Sequence, residues 1–288
     1  MWTDYRTPET LEEALAVLQS KDGRARVIAG GTDLALQAQR DEIAVECVVD
    51  VTRIPQLQSI VMDGEDVVLG ACVTHAQAAA SPLLLERAPV LAAACASVGS
   101  PQIRNVGTIA GNIVNAQPAA DSVTALLALD ASVDILGAAG VRQEPVGRLF
   151  KAPGQSAVDP SREIVTAIRF RALAPDVCSA FARLARRRAL ALPMLNVAVV
   201  AKVCGNSITW ARIAVGPVAP TPFRATRAEA ALQGAPASLD SISRAADAAS
   251  DEAQPRSSLL RGSREYRKAM VRVYVRRALA QALGLTST

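Results

Sequence analysis

Gly107-Thr108-Ile109-Ala110-Gly111-Asn112-Ile113-Val114-Asn115-Ala116-Gln117-Pro118-Ala119-Ala120-Asp121-Ser122 is the stretch on which the reading of this chain turns. It joins two glycines to the uncharged donors Thr108, Asn112 and Asn115, and it ends on Asp121-Ser122, a pair suited to capping a following helix. Such a run offers many hydrogen-bond donors and no catalytic base, which suits holding a polyphosphate better than cleaving one. Asparagines also close turns in purely structural loops, so both readings stand on the residues alone.

Upstream, Ala25-Arg26-Val27-Ile28-Ala29 reads as a strand, and Gly30-Gly31-Thr32-Asp33 as a tight turn opening into a helix over 34–39. In that geometry backbone N–H groups and the positive end of a helix face a phosphate, although Gly-Gly is equally an ordinary turn. The G-x-G-x-x-G run of a Rossmann site is absent. Two donor-rich loops in one half of the chain point to a single extended ligand bridging them.

The remaining pattern is mixed α and β. Thr10-Leu11-Glu12-Glu13 has the form of a capping box ahead of a helix through Leu18; strands are expected at 47–51, 66–71, 132–136 and 163–170, with an Ala-rich helix over 83–98. Composition shifts to Pro, Gly, Ser and Asp over 153–162, and Pro175 makes a further break. This places a boundary between residues 1–174 and 175–288. Beyond it come strands at 180–185, 195–203 and 207–216, with Gly205-Asn206 turning between the last two, and then helices. Ser263 caps the final helix, in which Tyr266, Met270, Val273 and Arg277 share one side. Arg264, Arg267, Lys268, Arg272 and Arg276 read as a solvated basic face.

Composition narrows the function. Of 288 residues, half are hydrophobic and 20% charged, enough apolar surface to exclude a disordered chain. No apolar run reaches the ~18 residues of a membrane span, and the N-terminus lacks the regions of a signal peptide, so a cytoplasmic location is expected. A net charge of +4 and 3% aromatic residues argue against nucleic-acid binding. One histidine, His75, and five scattered cysteines leave no metal site to assign.

Four segments, in this order and spacing, carry a resemblance: Ala29-Gly30-Gly31-Thr32-Asp33-Leu34, Gly70-Ala71-Cys72-Val73-Thr74-His75, the run from Gln102 to Asn112, and Pro118-Ala119-Ala120-Asp121. Together with Phe181-Ala182-Arg183-Leu184, Gly216-Pro217-Val218-Ala219-Pro220-Thr221-Pro222 and Gly262-Ser263-Arg264-Glu265-Tyr266-Arg267, they resemble the FAD-binding medium subunit of the molybdenum hydroxylases, over essentially the whole chain. The resemblance implies an α+β protein: a PCMH-type FAD-binding domain of two α/β lobes, then an α+β C-terminal domain with a three-stranded antiparallel sheet and helices. It implies that Ala29, Gly30, Gly31, Thr32 and Asp33, with Thr108, Ile109, Ala110, Gly111 and Asn112, cradle the pyrophosphate of FAD. Asn115 and Asp121 would hold its adenylate part, and Val165 would touch the cofactor. Arg183 stands where relatives often carry Lys near the flavin; an ion pair is the alternative reading.

There are departures too. Thr32 and Ala110 stand where relatives often have His and Gly, and Ala189-Leu190-Ala191-Leu192-Pro193 contains no acid after the arginine pair. Nor does the chain assign itself a catalytic residue. The resemblance implies noncovalent FAD in an electron-transfer subunit, a small iron-sulfur subunit with [2Fe-2S] clusters, a large molybdopterin subunit, and a dimer of such heterotrimers. Electrons would pass to NAD+, oxygen or another acceptor. The alternatives are a self-contained PCMH-type flavin oxidase, which would need a substrate-capping domain, and a cofactor-free interaction subunit.

Overall fold

The computed structural model describes residues 2–187, 190–258 and 261–285. A small lobe comes first. Strands β1 (Asp4–Arg6), β2 (Ala25–Ile28) and β3 (Cys47–Asp50) form a parallel sheet in the order β1-β3-β2, with α1 (Leu11–Ser20) and α2 (Leu34–Gln39) as crossovers. Thr10 caps α1 by accepting the Glu13 amide, but Glu13 turns its carboxylate to the Glu9 amide, so only half of the capping box forms.

The second lobe is built on β4 (Ile60–Asp63) and β5 (Asp66–Gly70), followed by six short helices: α3 (His75–Ala80), α4 (Pro82–Arg87), α5 (Pro89–Ala96), α6 (Pro101–Val106), α7 (Ile109–Val114) and α8 (Asp121–Ala128). Then come β6 (Ser132–Gly137), β7 (Gly140–Pro145), the small hairpin β8 (Phe150–Ala152) and β9 (Gln155–Ser156), and β10 (Ile164–Arg171). The sheet is antiparallel, in the order β4-β5-β10-β6-β7. The single helix expected over 83–98 is two, because Pro89 has no amide to donate and pushes Ala88 out of the helical region, to φ −155°. Residues 107–121 also differ from a continuous loop: Ile109–Val114 wind into α7.

Four antiparallel strands follow, β11 (Val177–Leu184), β12 (Leu195–Cys204), β13 (Ser207–Gly216) and β14 (Phe223–Arg224), where three were expected. The extra strand pairs only Phe223 and Arg224 with Val215 and Ala214, too short a run to announce itself by alternation. Helices α9 (Thr226–Leu232), α10 (Leu239–Glu252) and α11 (Arg264–Ala282) cover one face of this sheet, packing Val197, Val199, Ile213 and Val215 against Val271, Val275 and Leu279. The opposite face, through Ala198, Val200 and Ala214, joins the core of the second lobe. Strand alternation thus makes β12 apolar on both sides, and its first seven residues are buried. Among the described residues no helix is long and apolar enough to cross a membrane.

Ser263 caps α11 as expected, accepting the Tyr266 amide at 3.1 Å. The buried side of α11 is instead Arg267, Val271, Val275, Ala278 and Leu279, while Tyr266 is exposed. Arg267 therefore does not belong to the solvated face assigned to it from the sequence.

Candidate functional site

Two turns meet in the groove between the first and second lobes. Strand β2 runs into Ala29-Gly30-Gly31-Thr32, where Gly31 adopts φ +65°, a conformation that disfavours a side chain. Facing it is the N-terminus of α7. There Thr108 accepts the Gly111 amide on its hydroxyl at 3.0 Å, and its carbonyl accepts the Asn112 amide. The segment is pinned from below: the Ile109 amide donates to the Val73 carbonyl at 3.1 Å, and the His75 amide to the Gly107 carbonyl at 3.0 Å. The two turns press on each other, since a Cβ on Gly30 would sit 2.0 Å from the Val106 carbonyl oxygen. The contact with Val106 and Gly107 is by itself enough to require glycine at position 30. Gly111 is also reassigned: it lies within helical backbone, and a Cβ there meets the Thr108 hydroxyl at 2.9 Å.

With α7 wound, the amides of Gly107, Ile109, Gly111 and Asn112 find partners within the fold. Those of Gly30, Gly31, Thr32, Asp33 and Ala110 have none among the described residues. Ala110 takes the second position of α7, where a Cβ is accommodated in the core. Burial pushes the Asp33 pKa up, and the neighbouring Asn115 and Thr32 oppose that rise.

The groove contains a cavity of about 590 Å³, walled by the first turn, Thr108, Ala110 to Asn112, Val165 and His75. A second cavity of about 730 Å³ is walled by Asp121, Arg183, Pro217 and Arg267. Asp33, Gln37, Val98, Ile103, Asn112 and Asn115 line both, so the two are one continuous depression. Among the residues taken as site residues from the sequence, Ile109 alone lines neither: its side chain is fully buried in the core. Val98, Ile103, Leu190 and Leu192 line the second cavity with no polar signal in the sequence to mark them. Ala189, part of the acid-free stretch noted above, lies outside the described residues.

Asp121 does not cap α8; Ala120 holds that position, and Asp121 is the first helical residue. Its carboxylate is 4% exposed and is consumed internally. Oδ2 accepts from Arg183 Nε at 3.1 Å and Oδ1 from Asn196 Nδ2 at 2.8 Å, while Thr124 Oγ donates to Asn196 Oδ1 at 2.9 Å. Burial pushes the Asp121 carboxyl up, and the Arg183 charge opposes that rise. Arg183 also donates to the Ala191 carbonyl, fixing the segment that carries Leu190 and Leu192. Asp121 and Arg183 are thus one ion-paired unit, which brings together two residues assigned from the sequence to different parts of a cofactor. His75, 2% exposed, has an unpartnered buried Nδ1; burial, then the Arg104 charge, pushes its pKa down to about 4, so the ring is neutral.

The sequence of residues 2–170 matches the FAD-binding domain of molybdopterin dehydrogenases, and residues 180–282 match the CO dehydrogenase flavoprotein C-terminal domain. The chain belongs to the FAD-binding family of molybdopterin dehydrogenases. It is 32% identical to the carbon monoxide dehydrogenase medium chain of Hydrogenophaga pseudoflava, over 97% of this chain and 96% of that one. It is 30% identical to the xanthine dehydrogenase FAD-binding subunit of Escherichia coli O157:H7, over 98% and 97%. Its fold superposes on the solved carbon monoxide dehydrogenase of H. pseudoflava that lacks the Mo-pyranopterin moiety, with a TM-score of 0.93 at 32% identity, covering 100% of this chain and 99% of that chain.

The residues of this family member suit its cofactor. Free amides of two abutting turns are donors of the kind a pyrophosphate takes, and the two cavities, of about 590 and 730 Å³, share six lining residues. Neither turn contains a histidine or cysteine that would form a bond to a flavin.

Proposed function

We propose that this chain is the electron-transfer flavoprotein subunit of a molybdenum hydroxylase, binding FAD noncovalently in the continuous depression. The observation that carries this reading is the pair of abutting turns, whose residues with unpaired amides line one cavity. On this reading the backbone of Ala29 to Asp33 and of Thr108 to Asn112 holds the pyrophosphate, Ile109 serving through its backbone and core packing. Because Asp121 is tied to Arg183, both face the flavin end; Asn115 stands midway and Val165 lies toward the adenosine. Residues 1–174 form the FAD-binding domain and 175–288 the C-terminal domain.

When bound, FAD supplies the redox chemistry, and the protein fixes its position and potential. The remaining groups of the electron path come from other polypeptides: among the described residues no cluster of His, Cys, Asp or Glu is placed to hold a metal. A small iron-sulfur subunit and a large molybdopterin subunit are the partners of this reading, in a dimer of heterotrimers in the cytoplasm, with NAD+, oxygen or another acceptor taking the electrons.

The purified chain is expected to bind one FAD that acid precipitation releases in full. A pellet that keeps its yellow colour refutes the noncovalent site, and a colourless protein that cannot be reconstituted refutes the cofactor. In the complex, a hydroxylase substrate added without oxygen bleaches the flavin, whereas the isolated chain stays oxidised. Reduction of the isolated chain at a comparable rate would make it a self-contained oxidase.

A further inference from the structure

The second cavity carries an excess of positive charge whose location is specific. Five arginines line it, Arg40, Arg183, Arg256, Arg261 and Arg267, against the acids Asp33, Glu42 and Asp121. Arg183 is neutralised by Asp121, and Arg40 lies 3.9 Å from Glu42. Asp33 has no cation partner among the described residues, but it lies on the lining that the two cavities share. What remains is Arg256, Arg261 and Arg267, which have no carboxylate partner among the described residues.

Arg267 is the unusual member, 5% exposed with no acid beside it. Its guanidinium is held by backbone carbonyls from three distant segments: Nη1 donates to Arg256 at 2.9 Å, and Nη2 donates to Pro217 and, at 3.5 Å, to Met194. Those segments enter β12, leave β13 and leave α10, and Pro217, Arg256 and the neighbouring Pro193 form cavity wall. Its Nε is buried and has no partner. Carbonyl dipoles satisfy donors but do not cancel a unit charge, so a net positive charge stays at this end of the cavity. Burial, then the neighbouring Arg261 and Arg256, pushes the Arg267 pKa down, as expected where three guanidinium groups face one another without a counter-charge.

We propose that Arg267 is a positioning residue of the cofactor cavity: it clamps three backbone segments into one wall and, with Arg256 and Arg261, presents a carboxylate-free positive end that favours the reduced, anionic flavin. This inference rests on the flavin lying at the Asp121–Arg183 end. It places this electrostatic role on the three arginines and not on Arg183, whose charge is already offset by Asp121. Reduction of FAD by two electrons with uptake of one proton adds one negative charge to the ring, and a fixed positive charge nearby stabilises that product over the oxidised form.

The test uses the full chain loaded with FAD, at low ionic strength so that the exposed arginines are not screened. FAD content and affinity, melting temperature and flavin reduction potential are measured for Arg267→Lys, Arg267→Met and the double variant R256Q/R261Q. The double variant leaves the clamp carbonyls in place; it is expected to keep full FAD content and lower the reduction equilibrium constant about tenfold, some 30 mV for a two-electron couple. Arg267→Met loses both affinity and potential. Arg267→Lys keeps the charge but not the planar fork, so it weakens FAD binding while holding the potential close to wild type. An unchanged potential in R256Q/R261Q, or wild-type affinity in both Arg267 variants, overturns the inference. Absence of FAD from the wild-type chain would instead overturn the underlying reading of function.

Discussion

Replacing Gly30 with alanine tests whether the two turns of the site are held together by mutual contact. The added Cβ would lie 2.0 Å from the Val106 carbonyl oxygen, 2.6 Å from its carbon and 2.9 Å from Gly107 Cα. Ordinary contact begins near 3.4 Å, so one turn must retreat by about 1.4 Å, and the obstacle is backbone, not a side chain that can rotate away. The opposing segment is itself fastened to Val73 and His75, so the retreat strains those bonds. Overpacking of this kind costs about 1–3 kcal/mol, and the same displacement moves the free amides apart. Gly30→Ala is therefore expected to lose about 2 kcal/mol in urea unfolding of the apoprotein and at least ~10-fold in FAD affinity, a tenfold change being about 1.4 kcal/mol. Gly137→Ala is the control, because its Cβ meets only the Glu163 side chain, Cγ at 3.6 Å and Oε1 at 3.9 Å. A Gly30→Ala protein with wild-type stability and FAD affinity would show that the turns do not position each other.

Other outcomes follow from the same geometry. Asp121→Asn leaves the largely buried Arg183 without its counter-charge and is expected to cost about 3 kcal/mol of stability, read by urea denaturation; a loss below 1 kcal/mol would show that the pair contributes little. Gly111→Val is expected to weaken FAD binding by crowding the Thr108 hydroxyl and β-branching the first turn of α7, and titration of apoprotein with unaltered affinity would contradict that. His75 takes up a proton near pH 6.5 when unfolded but only near pH 4 when folded, so the unfolded state binds more protons between those values. Stability is then fully present above pH 6.5 and falls by about 3 kcal/mol on the way to pH 4, and His75→Gln removes that slope. Asp33 and Asp121, whose carboxyls are raised by burial, act with the opposite sign, adding stability as pH falls. An unchanged pH profile in the His75 variant would refute the assignment.

Most of the architecture could be read from periodicity and caps. Strand β2, the turn after it and α2 follow from apolar alternation broken by Gly-Gly, and the hairpin of β12 and β13 follows from Gly205-Asn206. Elements that escaped are short or edge-lying: β1, β4 and β7 expose most of their side chains, so no alternation marks them. At the site, the residue types were legible but their reasons were not. Gly30 reads as an invitation to a ligand until Val106 is seen against it, and Asp121 reads as a cap until Asn196, 75 positions away, is seen to donate to it. Arg267 was the least legible, because a helical wheel sorts charge outward and cannot show that carbonyls from three remote segments wait for it.

Helix α8 has every residue from Asp121 to Ala128 buried, between α5 on one side and β12 and β13 on the other. A nascent chain emerging N-terminus first has therefore made this helix long before residues 195–216, which complete its covering, leave the ribosome. Until then the face of α8 that carries Thr124, and that packs against β12 and β13 in the finished fold, stands open. A truncated product ending at residue 174 would keep that surface indefinitely and would be prone to self-association. The two halves of this chain are thus bound into one folding event by a helix eight residues long, whatever independence their sequences display.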